Sequence, residues 1–145
     1  MATRRLTQSV HDLVVAASAG TYSEMEKQGN KVSTNPNGQK NQRVGDDSYP
    51  DVIVWQPDIA KPTSGKAIVI EEIETEDSVT EAESKQWKEF GEIGISVFRL
   101  IVPLLKAPEA LRIVQSKKIN VSEIWSYEVK DDGRVTFNKF VALQK

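Results

Sequence analysis

The sequence predicts an α/β protein with a central mixed sheet flanked by helices. Two patterns alternate along its 145 residues: apolar residues at helical spacing, and short apolar runs bounded by proline, glycine or polar residues. Their order is α-β-β-β-α-β-α-β-β. A chain of this length commonly forms one domain, so we expect residues 1–145 to be a single domain.

The N-terminal third contains helical patterns, a short strand and a long polar segment. Apolar residues recur at helical spacing between residues 6 and 19, which predicts an amphipathic helix. A further helical turn is expected from Tyr22 to Gln28, ending at Gly29, because glycine often terminates helices. Residues 31–34 are a strand candidate, and the polar residues 35–48 are expected to form a loop.

Two neighbouring strands are predicted in the middle of the sequence. Residues 49–55 enter the first through Pro50, which suits a strand start because proline has no N–H to donate. Residues 67–74 form the second, and its Ala-Ile-Val-Ile start is typical of a buried strand. The connection between them contains two prolines and a glycine, so we expect a hairpin-like turn.

The C-terminal half alternates between helices and strands. Ser78 and Glu81 have the spacing of a capping box, which predicts a helix from Val79 to Glu92. The remaining elements are expected to be a strand at 97–102, a helix at 108–117, and strands at 121–129 and 134–143.

Composition limits the chemistry and the compartment. No apolar run approaches the roughly 20 residues that cross a bilayer, and polar residues interrupt the N-terminal apolar pattern, so we expect no membrane span, no signal peptide and a cytoplasmic protein. The absence of cysteine and the single His11 exclude disulfides, thiolate zinc sites and multi-histidine metal sites. The net charge of -2 does not by itself indicate nucleic-acid binding. A metal site would therefore need oxygen ligands, and a nucleic-acid partner a local basic patch.

Acidic residues cluster at the end of the second central strand. Side chains two residues apart project to the same face of a strand, so Glu72 and Glu74 are expected to point together, away from Glu71. Adjacent carboxylates repel each other, and a divalent cation such as Mg²⁺ relieves that repulsion. Asp51, at the start of the preceding strand, could complete a metal site. The alternative is a merely solvated cluster, since residues 71–77 contain five acids in seven positions.

The next helix carries a glutamine within its apolar stripe. A glutamine on a buried face needs hydrogen-bond partners, and the strand with Glu72 and Glu74 could supply them for Gln86. The alternative is a glutamine bonded to backbone. Lys85 and Lys88 flank Gln86 and could either reach a phosphate or be exposed.

These pieces resemble a known family in their order and spacing. Pro50-Asp51, then Glu72-Ile73-Glu74, then Gln86 followed by Phe90 resemble the motifs of the PD-(D/E)XK nuclease superfamily, in which the last pair is similar to a QxxxY motif. The resemblance implies a restriction endonuclease-like core, α-β-β-β-α-β, to about residue 103, with a C-terminal helix and additional strands. It also implies Mg²⁺-dependent or Mn²⁺-dependent hydrolysis of DNA phosphodiester bonds, by a homodimer or a subunit of a larger complex.

The resemblance further implies roles for the acidic and amide side chains. Asp51 and Glu72 would be metal ligands, and Glu74, at the position where the motif usually has lysine, a ligand or the group that orients the attacking water. Gln86 would position the helix or touch the scissile phosphate. An acid on the first helix, either Glu24 or Glu26, could contribute as well.

Basic residues complete the expected site. Lys85, or as second choice Lys66, would replace the missing motif lysine, and Lys88 would contact nucleic acid. Lys40 and Arg43 lie in the polar loop, whose composition suits phosphate contacts. Two alternatives remain: a catalytically inactive relative that binds nucleic acid or protein, and an unrelated α/β domain with an incidental acidic cluster.

Overall fold

The computed structural model describes residues 2–35, 44, 48–57 and 65–143. Its helices are α1 (Ala2–Gly20), α2 (Ser23–Lys27), α3 (Ser84–Glu92) and α4 (Ala107–Lys117). Its strands are β1 (Lys31–Thr34), β2 (Val52–Pro57), β3 (Gly65–Ile73), β4 (Val97–Pro103), β5 (Glu123–Val129) and β6 (Val135–Ala142). The predicted order of helices and strands is confirmed.

The strands form one mixed sheet in the order β1-β2-β3-β4-β5-β6. β1, β2 and β3 are antiparallel neighbours, β3, β4 and β5 are parallel neighbours, and β6 is antiparallel to β5. Parallel neighbours need a crossover connection, which α3 provides between β3 and β4 and α4 between β4 and β5. The predicted mixed sheet flanked by helices is therefore confirmed.

Each face of the sheet is covered by its own hydrophobic core. On one face Val14 and Val15 of α1 pack with Val69 and Ile73 of β3. On the other face the apolar residues of α3 and α4 pack with the alternate strand positions, which include Ile70 of β3. This alternation follows from the two-residue period of a strand, and it sends Glu72 toward the α3 face.

The start of α3 differs from its prediction. The helix begins at Ser84 rather than Val79, and turns occupy the residues before it. The Ser78 hydroxyl accepts the backbone N–H of Thr75 at 2.9 Å and donates to Glu74, so it closes a local turn instead of capping a helix. The capping-box interpretation was therefore wrong, because this serine side chain already has partners.

The buried face of α3 includes Phe90, as predicted, but not Gln86, which the sequence placed within the same stripe. Trp87 and Phe90 are fully buried and Gln86 is exposed. The Phe90 and Phe98 rings meet edge to face with 5.9 Å between centroids. A side chain at Gly91 would lie 2.6 Å from the carbonyl oxygen of Asn120, so the close approach of this helix to the neighbouring turn requires glycine.

The polar segment after β1 is described only in part. Val44 and Ser48 form an isolated antiparallel bridge. Lys40 and Arg43, predicted to contact nucleic acid, lie outside the described residues. No helix in the described part of the chain is both long and apolar enough to cross a membrane.

Candidate metal centre

The ends of β2 and β3 bring Asp51 and Glu72 together. Val52 pairs with Glu71 in the antiparallel register, so the preceding Asp51 lies opposite Glu72. Both acids are buried, and the negative charge of Asp51 contributes to raising the pKa of Glu72. Asp51 is fixed by the backbone N–H of Ile73, which donates to its Oδ2 at 2.8 Å. The structure thus brings together the two acids that the sequence placed on neighbouring strands.

Among the described residues, one group of acids has the spacing of metal ligands: Glu72, Glu74 and Glu83. Each offers a carboxylate oxygen, and these oxygens all lie within 4.8 Å of one another. Glu72 and Glu74 are buried and Glu83 is half-buried. Such oxygen ligands suit a hard divalent cation. These three residues, called the acidic cluster below, could therefore hold a metal ion, with Asp51 beside Glu72.

Glu83 was missed by the sequence analysis. It directly precedes α3, and its side chain makes no capping hydrogen bond to that helix. Predicting the helix from Val79 placed Glu83 inside it, with no reason to single it out. A signal was present, since Glu83 and Gln86 are three residues apart and side chains at this spacing lie on the same side of a helical turn.

Burial and mutual repulsion favour the protonated forms of these acids. The pKa of Glu72 is raised well above its ordinary value, first by burial and then by the negative charges of Asp51, Glu74 and Glu83. Burial also raises the pKa of Glu83, with a contribution from Asp51. A divalent cation would remove this repulsion because it supplies the missing positive charge.

Glu74 is held by hydrogen bonds to both of its carboxylate oxygens. The Trp87 indole Nε1 donates to one oxygen at 2.6 Å, and the Ser78 hydroxyl donates to the other at 2.9 Å. Burial raises the pKa of Glu74 to about 8, although the hydrogen bond from Trp87 opposes the shift. Glu74 is therefore a rigidly placed acid.

Gln86 contacts the acids, as the sequence suggested. With its amide nitrogen turned toward them, it donates to Glu72 Oε2 at 3.1 Å and to Glu83 Oε2 at 3.2 Å. The expected partner is therefore present, although Gln86 itself is exposed rather than buried. The contact links the start of α3 to the end of β3.

His11 approaches the site from α1, on the opposite face of the sheet. Its Nε2 lies 3.2 Å from Asp51 Oδ2, and its Nδ1 lies 3.4 Å from Asp12 Oδ1. Burial lowers the pKa of His11, but the hydrogen bonds and charges of Asp51 and Asp12 outweigh it and raise that pKa to about 9. The sequence analysis gave this histidine no role at the site.

The predicted basic residues do not enter the acidic cluster. Lys85 and Lys88 are exposed on α3. Lys66 precedes Glu72 by six positions on β3, a separation of about 20 Å at 3.3 Å per residue, which excludes it as the replacement lysine.

The two glutamates proposed for the first helices also lie outside the cluster. Glu24 and Glu26 are exposed on α2, and Glu24 pairs with Lys27 at 3.2 Å. Neither belongs to the carboxylate group that could hold a metal ion.

Glu71 points to the opposite face, as predicted. It accepts hydrogen bonds from the hydroxyl groups of Ser18 and Tyr22, and Arg99 Nη1 lies 3.7 Å from its carboxylate. Arg99 in turn donates to Glu123 at 2.8 Å. These partners make Glu71 part of the contact between α1 and the sheet.

An apolar groove of about 540 Å³ opens near the carboxyl ends of β4 and β5. Its lining includes Leu104, Leu105 and Val129, and Leu105 is 87% exposed. Tyr127 also lines the groove and donates its hydroxyl to the backbone carbonyl of Glu74 at 2.9 Å. The groove therefore lies close to the backbone that carries the acidic cluster.

Comparison with known proteins gives no relative: no protein-family model, no curated protein and no solved structure matches this chain.

Proposed function

We propose that this chain is a Mg²⁺-dependent nuclease of the PD-(D/E)XK type that hydrolyses phosphodiester bonds in DNA. The observation that carries the proposal is the meeting of three separate motif positions. Asp51 lies beside Glu72 across two strands, and Gln86 donates to Glu72 from the following helix. Incidental acids at a strand end would not require this arrangement.

The topology around the acids also supports the proposal. β3 pairs antiparallel with β2 and parallel with β4, and α3 connects β3 to β4. This is compatible with the restriction endonuclease-like order of elements that the resemblance implies. The acids lie at the carboxyl end of β3, the end of parallel strands at which open α/β sheets bind ligands.

The charge of the site makes a cation necessary for any phosphate substrate. Asp51 and the three glutamates of the acidic cluster would repel a phosphodiester. A bound Mg²⁺ or Mn²⁺ would offset these charges and activate water for attack on phosphorus. We assign Glu74 to a ligand role, because Trp87 and Ser78 already fix the direction of its carboxylate.

The exposed lysines of α3 are the proposed contacts to the DNA backbone. Lys85 and Lys88 are three residues apart on the helix, so their ammonium groups extend from the same side. Lys85 is proposed as the lysine that reaches the scissile phosphate, and Lys88 as a contact to the neighbouring backbone. Lys40 and Arg43 remain predicted phosphate contacts. We also propose a homodimer or a larger complex, because cutting both strands of a duplex needs two sites.

Plasmid cleavage tests the proposal. Supercoiled plasmid is incubated with the protein in Mg²⁺, Mn²⁺ or EDTA, and nicked and linear forms are quantified. We expect cleavage with either cation, none in EDTA, and loss of cleavage in Glu72→Gln and Glu83→Gln, which remove charge but little volume. Glu76→Gln is the matched control, because Glu76 is an exposed acid outside the acidic cluster. Cleavage that survives EDTA or Glu72→Gln would contradict the proposal.

A second candidate function is a catalytically inactive relative that binds a protein or nucleic acid. Two observations favour it: Glu74 occupies the position of the motif lysine, and an apolar groove with a highly exposed Leu105 lies nearby. This candidate predicts cation binding without cleavage of any nucleic acid. Isothermal titration with Mn²⁺ alongside the plasmid assay distinguishes the two functions.

A further inference from the structure

We propose that His11 is a positioning residue of the acidic site, which holds Asp51 in place beside Glu72. The inference rests on the proposed function, since it concerns the cation that this site would bind. It assigns a role to a residue of α1, on the face of the sheet opposite to α3.

One hydrogen bond and one ion pair of Asp51 carry the proposal. Its Oδ2 accepts the backbone N–H of Ile73 at 2.8 Å and lies 3.2 Å from His11 Nε2. The N–H of Ile73 and the imidazole of His11 together restrict the rotation of the carboxylate, because turning it would break the hydrogen bond and separate the ion pair. Glu72 lies opposite Asp51 across the two strands, so the orientation of this carboxylate affects the acidic site.

The imidazole is itself held in place. Its Nδ1 lies 3.4 Å from Asp12 Oδ1, and Gln8 donates to the same Asp12 oxygen at 3.0 Å. Val14 and Val15, in the following turn of α1, are buried against the sheet. The helix is thus fixed on the sheet next to His11. The imidazole therefore has a fixed position from which it can orient Asp51.

The geometry distinguishes a positioning role from a ligand role. The described residues with metal-ligand spacing are Glu72, Glu74 and Glu83, and His11 is not among them. Groups that hydrogen-bond to metal ligands set the ligands' orientation, and their loss typically costs about 10-fold to 100-fold in metal affinity. His11 is suited to this role, since it touches a carboxylate beside the cluster without entering it.

Calorimetric Mn²⁺ titration of the full chain tests the proposal. His11→Leu removes the imidazole that contacts Asp51, and we expect Mn²⁺ binding to weaken by about 10-fold to 100-fold. His11→Gln keeps an N–H at a similar reach and should restore the affinity to within roughly 3-fold of wild type. Glu76→Gln, which removes an exposed acid outside the acidic cluster, is the matched control and should also stay within roughly 3-fold. The melting temperature of each variant is measured as well, to show that any lost affinity is not caused by unfolding.

The single histidine permits a second measurement on the unmodified protein. His11 is the only histidine in the chain, so its ring gives one set of NMR signals. Saturating Mg²⁺ should shift these signals in wild type and leave them unchanged in Glu83→Gln, whose acid belongs to the acidic cluster.

The possible failures are distinguishable. Wild-type protein that binds neither Mn²⁺ nor Mg²⁺ would overturn the proposed function together with this inference. Wild-type binding that His11→Leu leaves unchanged would overturn the inference alone. The same holds if His11→Gln loses as much affinity as His11→Leu, or if saturating Mg²⁺ leaves the ring signals of the wild type in place.

Discussion

The indole nitrogen of Trp87 donates a hydrogen bond of 2.6 Å to the carboxylate of Glu74. Trp87 is fully buried on α3 and Glu74 directly follows β3, so this bond joins the helix to the strand end beneath it. The same tryptophan belongs to the hydrophobic core on the α3 face. Stability and site geometry are therefore coupled through one side chain.

Replacing Trp87 with phenylalanine should destabilise the protein by about 2 kcal/mol. The change leaves a buried carboxylate oxygen without its donor, a loss of about 1–3 kcal/mol, and removes part of a packed ring. Urea unfolding followed by circular dichroism measures it. Trp125→Phe is the control, because Trp125 also donates to a glutamate, at 2.9 Å, but is only half-buried. A Trp125→Phe loss as large as that of Trp87→Phe would contradict the expectation.

Stability without a cation should fall between about pH 4.5 and pH 9. Folding raises the pKa of Glu74 from 4.5 to about 8 and that of His11 from 6.5 to about 9. In each interval the folded protein retains a proton that the unfolded chain has released, so raising the pH favours unfolding. The resulting stability is complete below the unfolded values and is lost as the pH rises through the folded ones.

Thermal melts in EDTA measure this loss. One pKa unit corresponds to about 1.4 kcal/mol, and 1 kcal/mol shifts the melting temperature of a domain this size by about 2–4 °C. We expect a fall of roughly 5 °C or more across the interval. The double variant Glu74→Gln with His11→Gln should reduce the slope of the profile, and Glu72 and Glu83, whose pKa values are also raised, should account for the remaining slope. An unchanged profile in that variant would assign the pH dependence to other groups.

Cation binding should become tighter as the pH rises, and should release protons. The acids of the cluster have raised pKa values, so a cation must displace protons from Glu72 and Glu74 to bind them. Mn²⁺ titrations near pH 6 and pH 8 should show at least about a tenfold difference in affinity. Titrations in buffers of different ionisation enthalpy count the protons. A heat of Mn²⁺ binding that is the same in every buffer would show that binding releases no protons.

Replacing Lys118 with glycine should stabilise the protein by about 1 kcal/mol. Lys118 follows α4 with a φ of 55°, a left-handed conformation that costs a non-glycine residue about 1–2 kcal/mol. Glycine removes this strain and gives back part of the gain through the greater freedom of the unfolded chain. Urea unfolding gives the difference. Lys117→Gly, within the helix, should instead destabilise by about 1 kcal/mol, and equal effects of both substitutions would contradict the assignment.

The parts of this fold that depend on local pattern could be predicted from the sequence. The acids at the end of β3 follow from a two-residue period, and Glu71 and Glu72 do point to opposite faces. The start of α3 could not be predicted in this way, because Ser78 is bonded to Thr75 and Glu74 instead of capping the helix. The placement of Glu83 depended on that boundary and was missed with it.

The role of His11 depends on contacts between distant parts of the chain. Its partner Asp51 follows β1 and the long polar segment, and the two meet only when α1 packs on the sheet. Nothing in the periodicity of α1 marks this position, since a half-buried histidine on an amphipathic helix has many possible partners. Only the folded structure shows that His11 and Asp51 are in contact.

A short stretch of sequence, from the end of β3 to the first turn of α3, contains four residues of the site: Glu72, Glu74, Glu83 and Gln86. An ion shared by the first and third of these residues would close that stretch into a loop, as a disulfide closes the chain between two cysteines. Its stabilising effect would then come partly from restricting the unfolded chain. In this protein, which has no cysteine, such an ion would be a reversible crosslink that a chelator can remove.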